Sequence, residues 1–397
     1  MKNNILTLLF LFPLWLSAQN ILYVNANVQG GQQDGSSWAN ATPDLQLGLE
    51  LAVSGDQIWV AQGVYYPAAG TDRTASFYLK QGVKLYGGFA GGEQNLDERS
   101  YAANETILSG NIGNPALAND NSLHVVRGSG LDSTTALDGF TIADGYAYNS
   151  LVTEWDVTGG GLLLQASPLV ENTCPIIQNC RFRNNSAGSG GAISAKWSFD
   201  NLVNPIIRHC EFIENRAFVF AGALYKGSPT PDNQPFTLSD CAFKKNYAYG
   251  GDGGAVFLTQ LNDGSVVEDV LSLESTATGF ASVSLGVSGT GRTVVLRKVT
   301  ISRNRGIGVL ISGTNAHYIF DSLVVSGNGA AGATLNTSAT ITGSAFHRNS
   351  SFGINGSTLS VAPVNDAPSG TDATIVLTES GSHVFAAGDF GFNDVDG

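Results

Sequence analysis

Charge is scarce in this sequence. Asp, Glu, Lys and Arg make up 13% of its 397 residues, where soluble domains usually carry roughly 25%. Methionine occurs once, as the first residue, and 20 basic side chains stand against 33 acidic ones. Helical bundles and coiled coils are built from Ala, Leu, Glu, Lys and Arg, so this poverty argues against both. The formal charge of −13 repels phosphate backbones and anionic lipid alike, which argues against a nucleic-acid binder. Beyond the first 18 residues no window of about 20 is free of charge and turn residues, so no transmembrane segment is expected there.

Glycine is abundant instead, at 49 residues or about 12% against roughly 7% ordinarily. Val, Ile, Thr and Phe fill much of the apolar share, which reads as strands and turns. Residues 1–18 hold Lys2, an apolar run from Ile5 to Leu16, and the small pair Ser17-Ala18. That is the make-up of a secretory signal peptide, too short to span a bilayer.

Four cysteines in an exported chain would ordinarily mean two disulfides. Their spacing says otherwise. Cys180, Cys210 and Cys241 recur in matched contexts: Ile177-Gln-Asn-Cys180-Arg-Phe182-Arg-Asn-Asn185, Ile207-Arg-His-Cys210-Glu-Phe212-Ile-Glu-Asn215 and Leu238-Ser-Asp-Cys241-Ala-Phe243-Lys-Lys-Asn246. The closing Asn recurs at Asn304, Asn328 and Asn349; Thr276 takes its place in one unit and Gly145 in an early degenerate one. Each unit alternates apolar and polar residues over five to seven positions, turns, and adds a second short apolar stretch such as Gly190-Gly-Ala-Ile193. Such a unit cannot bury its apolar face alone, but coils stacked on one another can.

The expectation is an all-β parallel β-helix solenoid. Stacking would place equivalent residues about 4.8 Å apart. Cys180, Cys210 and Cys241 then form an interior column beside a stack of Phe182, Phe212 and Phe243. Three thiols in a column cannot all pair, and a reduced column is expected. Cys174 lies outside the repeat and is the one thiol placed to cap the column or pair with a member of it. The recurring asparagines are expected in turns, bonding backbone and taking the left-handed conformation. Ahead of the repeats, Thr42-Pro43-Asp44 opens a short amphipathic helix through Ala52, with Thr42 as its N-cap, between strands at Ile21–Asn25 and Asp56–Ala61. It would cap the first coil.

Ile21-Leu-Tyr-Val-Asn25, Asp34-Gly-Ser-Ser-Trp-Ala39, Gly55-Asp-Gln-Ile-Trp-Val-Ala61, Gly63-Val-Tyr-Tyr-Pro67, Tyr86-Gly-Gly-Phe-Ala-Gly91 and Leu137-Asp-Gly-Phe-Thr-Ile142 together resemble secreted bacterial parallel β-helix proteins, the relatives of polymorphic outer-membrane and pectate-lyase-like surface proteins. The resemblance implies right-handed winding, as the general crossover preference also does. It also implies an extracellular, outer-membrane-associated place on the cell surface. The C-terminal stretch, Val364-Asn-Asp-Ala-Pro-Ser-Gly-Thr371 through Asp389-Phe-Gly-Phe-Asn-Asp-Val-Asp-Gly397, resembles the opening of a cadherin-like adhesin repeat, a β-sandwich of roughly 100 residues. The organisation expected is a signal peptide at 1–18, an N-terminal cap with the first coils at 19–105, the β-helix at 106–360, and a linker with a truncated module at 361–397.

Two function classes follow. The first is a non-catalytic stalk or adhesin part that contacts carbohydrate or a host or neighbouring cell surface, with Tyr146, Tyr148, Trp155, Trp197, Tyr247 and Tyr249 in loops as rings for sugars. The second is a polysaccharide lyase or glycoside hydrolase working in a groove. A lyase needs clustered carboxylates for Ca²⁺ and a positioned base, and a hydrolase needs paired carboxylates. Arg181, Glu211 and Asp240 fall at adjacent places of successive coils, but no coil-spaced set of acids appears, so no catalytic residue is assigned. The five histidines share no metal-ligand spacing. Gly159-Gly-Gly161 and Gly250-Gly-Asp-Gly-Gly254 open no helix and carry no P-loop Lys. No cofactor is called for except Ca²⁺: Asp366, Glu379, Asp394 and Asp396 are hard-oxygen ligands at positions matching the adhesin-module resemblance.

Overall fold

The structure, a computed structural model, describes residues 20–362 and 374–376, apart from 149–156, 167–171, 197–201, 228–234, 262–263, 279–280, 336–337, 343, 350 and 355–357. It is a parallel β-helix. Strand Ile21–Val24 pairs in parallel with Gln57–Ala61, and the same wall continues through Lys84–Phe89, Ala136–Asp138, Ile176–Gln178 and Ile206–Arg208 into the later coils. A second wall runs through Gly63–Tyr65, Thr106–Ser109, Phe140–Ala143, Arg181–Arg183 and Glu211–Ile213. A third runs through Phe77–Tyr78, Val126–Ser129, Leu162–Gln165, Ile193–Lys196, Leu224–Gly227 and Val256–Leu258. Among the described pairings one is antiparallel, Thr358–Ser360 with Thr374–Val376.

The alternation in sequence becomes an alternation in space. Cys180, Cys210 and Cys241 all point inward, nearly inaccessible, and are free thiols. Phe182 stacks on Phe212 at 5.2 Å and Phe212 on Phe243 at 4.5 Å, with planes within 8° and 3° of parallel. Burying one such ring contributes about 1.5–3 kcal/mol, and stacking about 0.5–1.5 kcal/mol beyond that.

The asparagines form a ladder. Asn215 Oδ1 accepts from the backbone N and Nδ2 of Asn185, both at 3.1 Å, while Asn215 Nδ2 donates to Phe182 O and Asn246 Oδ1. The rungs resume at Asn304, Asn328 and Asn349. In the intervening coil the place belongs to Ser275 and not to Thr276, because Tyr247 is in register with Thr276. Ser275 Oγ accepts from Asn246 N at 3.3 Å, and Ser275 N donates to Asn304 Oδ1 at 2.8 Å.

The left-handed conformation falls one residue earlier than the sequence suggested. Asn184, Glu214, Lys245, Glu274, Arg303 and Arg348 have φ between 52° and 56°, each just before a ladder position. A second such column, Asn179, His209, Asp240, Asp269 and Lys298, precedes the inward Cys and Val residues. These two bends turn the chain between walls. The ladder residue itself must aim its amide along the stack, so the left-handed step goes to its neighbour, whose side chain points to solvent.

The helix spans Leu45–Leu51 and is capped by Asp44, not Thr42: the Asp44 carboxylate accepts from Gln46 N at 2.8 Å. Pro43 holds Thr42 extended and ahead of the cap, and a carboxylate at that place also meets the positive end of the helix dipole. Leu45 and Leu49 bury themselves over the first coil. Gly48 lies so close to Val24 that an added Cβ would come within 2.9 Å of its Cγ2.

Candidate functional site

After each ladder residue the chain runs through a short strand: Tyr146–Ala147, Ser186–Ser189, Arg216–Phe220, Tyr247–Ala248 and Thr276–Ala277, all parallel. The second residue of each faces in. Ala147, Ala187, Ala217, Ala248 and Ala277 are buried in register. The first residue faces out, giving a column Tyr146, Ser186, Arg216, Tyr247, Thr276.

Aromatic rings gather on this outer face. Tyr148 stacks on Phe218 with centroids 3.9 Å apart, and Phe218 stacks on Tyr249 at 5.5 Å. Tyr148 and Tyr249 are 39% and 48% exposed. Tyr146 and Tyr247 lie across this column, at 86° to Tyr148 and 82° to Tyr249. The Tyr247 hydroxyl bonds the Thr278 hydroxyl at 2.8 Å. A second group adjoins it: Phe220, Phe257 and Tyr225 stack at 4.9 and 5.7 Å. Gly251 is required under Phe220, since an added Cβ would lie 2.6 Å from the ring.

Arg216 is exposed within the tyrosine column. At its border Asp252 is half-buried; burial pushes its carboxyl above the usual range against the bond it accepts from Ala281 N. The sequence singled out Tyr146, Tyr148, Tyr247 and Tyr249, and the structure brings them together. It missed Phe218, Phe220, Tyr225 and Phe257, although Tyr148, Phe218 and Tyr249 recur three residues after the ladder position. Trp155 and Trp197 lie outside the described residues, as do Asp366, Glu379, Asp394 and Asp396.

The remaining charged candidates divide. Arg181 pairs with Glu211 at 2.9 Å, with Lys244 and Glu105 at 3.5 and 3.8 Å in the same outward network. Burial acts to raise the Glu211 carboxyl, but Arg181 and Lys244 outweigh it and hold it low. Asp240 is apart from these, at a wall bend, facing His209 at 3.5 Å. Arg303 faces Glu274 at 3.7 Å. His124 is buried with Nδ1 3.0 Å from Gly159 O, and His317 Nε2 meets Thr340 Oγ1 at 3.0 Å. Among the described residues no three His, Cys, Asp or Glu side chains gather as metal ligands, and no helix is long and apolar enough to cross a membrane. Gly159 and Gly253 turn with φ of 69° and 80°. Gly160, Gly191, Gly222 and Gly254 follow where an added Cβ would strike backbone of a neighbouring coil within 2.4 Å.

No family model matches the chain, and no curated relative matches it. Among solved structures it is similar to a double mutant of the periplasmic alginate epimerase AlgG, at 11% identity and a TM-score of 0.27. The match covers 78% of this chain and 66% of that one. The β-helix assignment rests on the chain's own parallel pairing.

Proposed function

We propose that this chain is an exported, surface-associated β-helix that holds an extended polysaccharide against its aromatic face, without cleaving it. The observation that carries this reading is the arrangement of rings over the short strands. Tyr148, Phe218 and Tyr249 use their faces on one another, whereas Tyr146 and Tyr247 lie crosswise, three coil steps or about 14 Å apart along the stack. Sugars stack on ring faces, so this outer aromatic group, with Tyr148 and Tyr249 as its most exposed rings, is the sugar-facing surface, and Arg216, between Tyr146 and Tyr247 in the column, supplies a fork of donors for hydroxyl groups. The C-terminal stretch, with Asp366, Glu379, Asp394 and Asp396, belongs to the adhesin part of this proposal as a Ca²⁺-binding module.

Affinity electrophoresis of residues 19–397 through gels containing neutral and acidic polysaccharides tests it. At least one polymer should retard the protein, and Tyr247→Ala and Tyr146→Ala should each weaken retention by about 2- to 10-fold, the worth of one aromatic contact. Retention unchanged in the double variant would remove the aromatic face from the account. Unsaturated or reducing ends released from a bound polymer would put the lyase or hydrolase reading in its place.

A further inference from the structure

Between the second and third walls of an early coil, residues 110–122 form a loop knitted to itself. Gly110 O accepts from both Ile112 N and Ser122 N at 2.8 Å, which holds Asn111 and Asn121 on either side of one carbonyl. Asp120 Oδ2 accepts from Asn114 N at 2.7 Å. Gly113 lies so close that an added Cβ would come within 2.4 Å of that oxygen.

Four oxygens of this segment are shut away from solvent with no hydrogen-bond partner: Asn111 Oδ1, Asp120 Oδ1, Asn121 Oδ1 and Ser122 Oγ. Asn121 is 5% exposed and Ser122 fully buried. Three of these atoms are acceptors only, so they cannot satisfy one another, and leaving a buried acceptor bare costs about 1–3 kcal/mol. Asn121 Nδ2 is already given to Asp144 O at 2.7 Å, which fixes its Oδ1 as the free end. Hard oxygens without donors are what a Ca²⁺-class cation takes.

We propose that the 110–122 loop binds a divalent cation of the Ca²⁺ class, with Asp120 as its carboxylate ligand and Asn111, Asn121 and Ser122 as neutral oxygen ligands. The Arg73 guanidinium bonds Asn121 O and Tyr146 O at 2.7 and 2.8 Å. It takes that carbonyl from the ligand set and opposes the ion's charge. One carboxylate beside one guanidinium makes a weak site, in the 10⁻⁴ to 10⁻³ M range of extracellular modules. By ordering the loop between two walls, the ion would stabilise the early coils. The proposal is independent of the polysaccharide reading.

The experiment is thermal and urea unfolding of the full chain in EDTA, in Ca²⁺ and in Mg²⁺, beside direct calorimetric titration with CaCl₂. At a Ca²⁺ concentration about ten times the dissociation constant, the folded-to-unfolded ratio should rise roughly tenfold. Asp120→Asn should lose that rise, whereas Asp394→Asn and Asp396→Asn should keep it. Asn111→Asp adds a second carboxylate and should bind Ca²⁺ more tightly than the parent, an arm that decides the matter if Asp120→Asn does not fold. No response of the parent protein to about 10 mM Ca²⁺, well above that affinity range, would overturn the proposal. An equal response in Asp120→Asn, or no tightening in Asn111→Asp, would do the same.

Discussion

Asn215 offers the most exacting check on how the coils are held together. It is fully buried and makes four side-chain bonds, two accepted from Asn185 and two donated, to Phe182 O and Asn246 Oδ1. Asn215→Ala leaves the Asn185 backbone N–H and one Nδ2 hydrogen buried without an acceptor. At about 1–3 kcal/mol for each, the loss should be roughly 2–6 kcal/mol. Asn215→Asp is nearly isosteric and still accepts from Asn185, but it puts a carboxylate oxygen against Phe182 O and Asn246 Oδ1, both acceptors. It should therefore be at least as harmful near pH 7 and partly relieved by acid. The sign follows from linkage: the folded state raises this carboxyl above its unfolded value of about 3.9, so the variant's relative stability is fullest below that pH and falls as pH rises through the folded-state pKa. Urea midpoints give the global effect. Because a solenoid can open coil by coil, amide exchange over residues 180–250 should show the loss spreading to the coils on both sides. The outward, part-buried Glu211, in its ion-pair network with Arg181 and Lys244, is the control, and Glu211→Ala should cost about 0–1 kcal/mol. If Asn215→Ala matched it, the ladder would be ornamental to stability and the argument from orphaned donors would fail.

Phe212→Ala, which opens a cavity between rings at 5.2 and 4.5 Å, should cost about 3–5 kcal/mol by chemical denaturation. Ser275→Asn should stabilise by about 1 kcal/mol, since it completes the interrupted ladder where Ser275 Oγ reaches Asn246 N only at 3.3 Å; a lower urea midpoint would mean the register at that coil is wrong. Cys180 and Cys210 are buried and burial pushes their thiols well up. In a timed thiol titration, half-buried Cys174 should react first, and Cys180, Cys210 and Cys241 only on unfolding.

The inward columns were legible in the sequence because each coil asks the same thing of the same position. Cys180, Cys210 and Cys241, the three phenylalanines and the asparagines recur at matched places for that reason. The bends were not legible, because their left-handed φ is imposed by the stack on whatever residue stands there. Lys245, Glu274 and Arg303 carry no local preference for it, and it costs roughly 1–2 kcal/mol at each. Ser275 and Thr276 were exchanged because both offer a hydroxyl and only the pairing of Tyr247 with Thr276 separates them. Phe218 shares the place of Tyr148 and Tyr249, three residues after the ladder position, but its contact is with Tyr148 two coils away, and the repeat shows the shared place without showing which rings meet. The calcium set at Asp366, Glu379, Asp394 and Asp396 lies outside the described residues.

Within this one chain, the coils separate what holds the fold from what the fold displays. Behind the aromatic face the inward position is Ala in all five coils, Ala147 to Ala277, each buried in register, and in a close-packed interior added volume there must displace its neighbours. One residue earlier, facing out, the same five coils carry Tyr, Ser, Arg, Tyr and Thr. Nothing in the stacking demands any of these, since each meets solvent on one side. Stability and recognition are thus written on alternate residues of the same strands, which yields a separable expectation. Tyr247→Ala should leave the urea midpoint about where Glu211→Ala leaves it, within about 1 kcal/mol, while weakening polysaccharide retention. Ala248→Val should do the reverse, costing about 1–3 kcal/mol through overpacking with retention intact wherever the protein remains folded. Were Tyr247→Ala to lose both stability and retention together, the aromatic column would be part of the scaffold and not its payload.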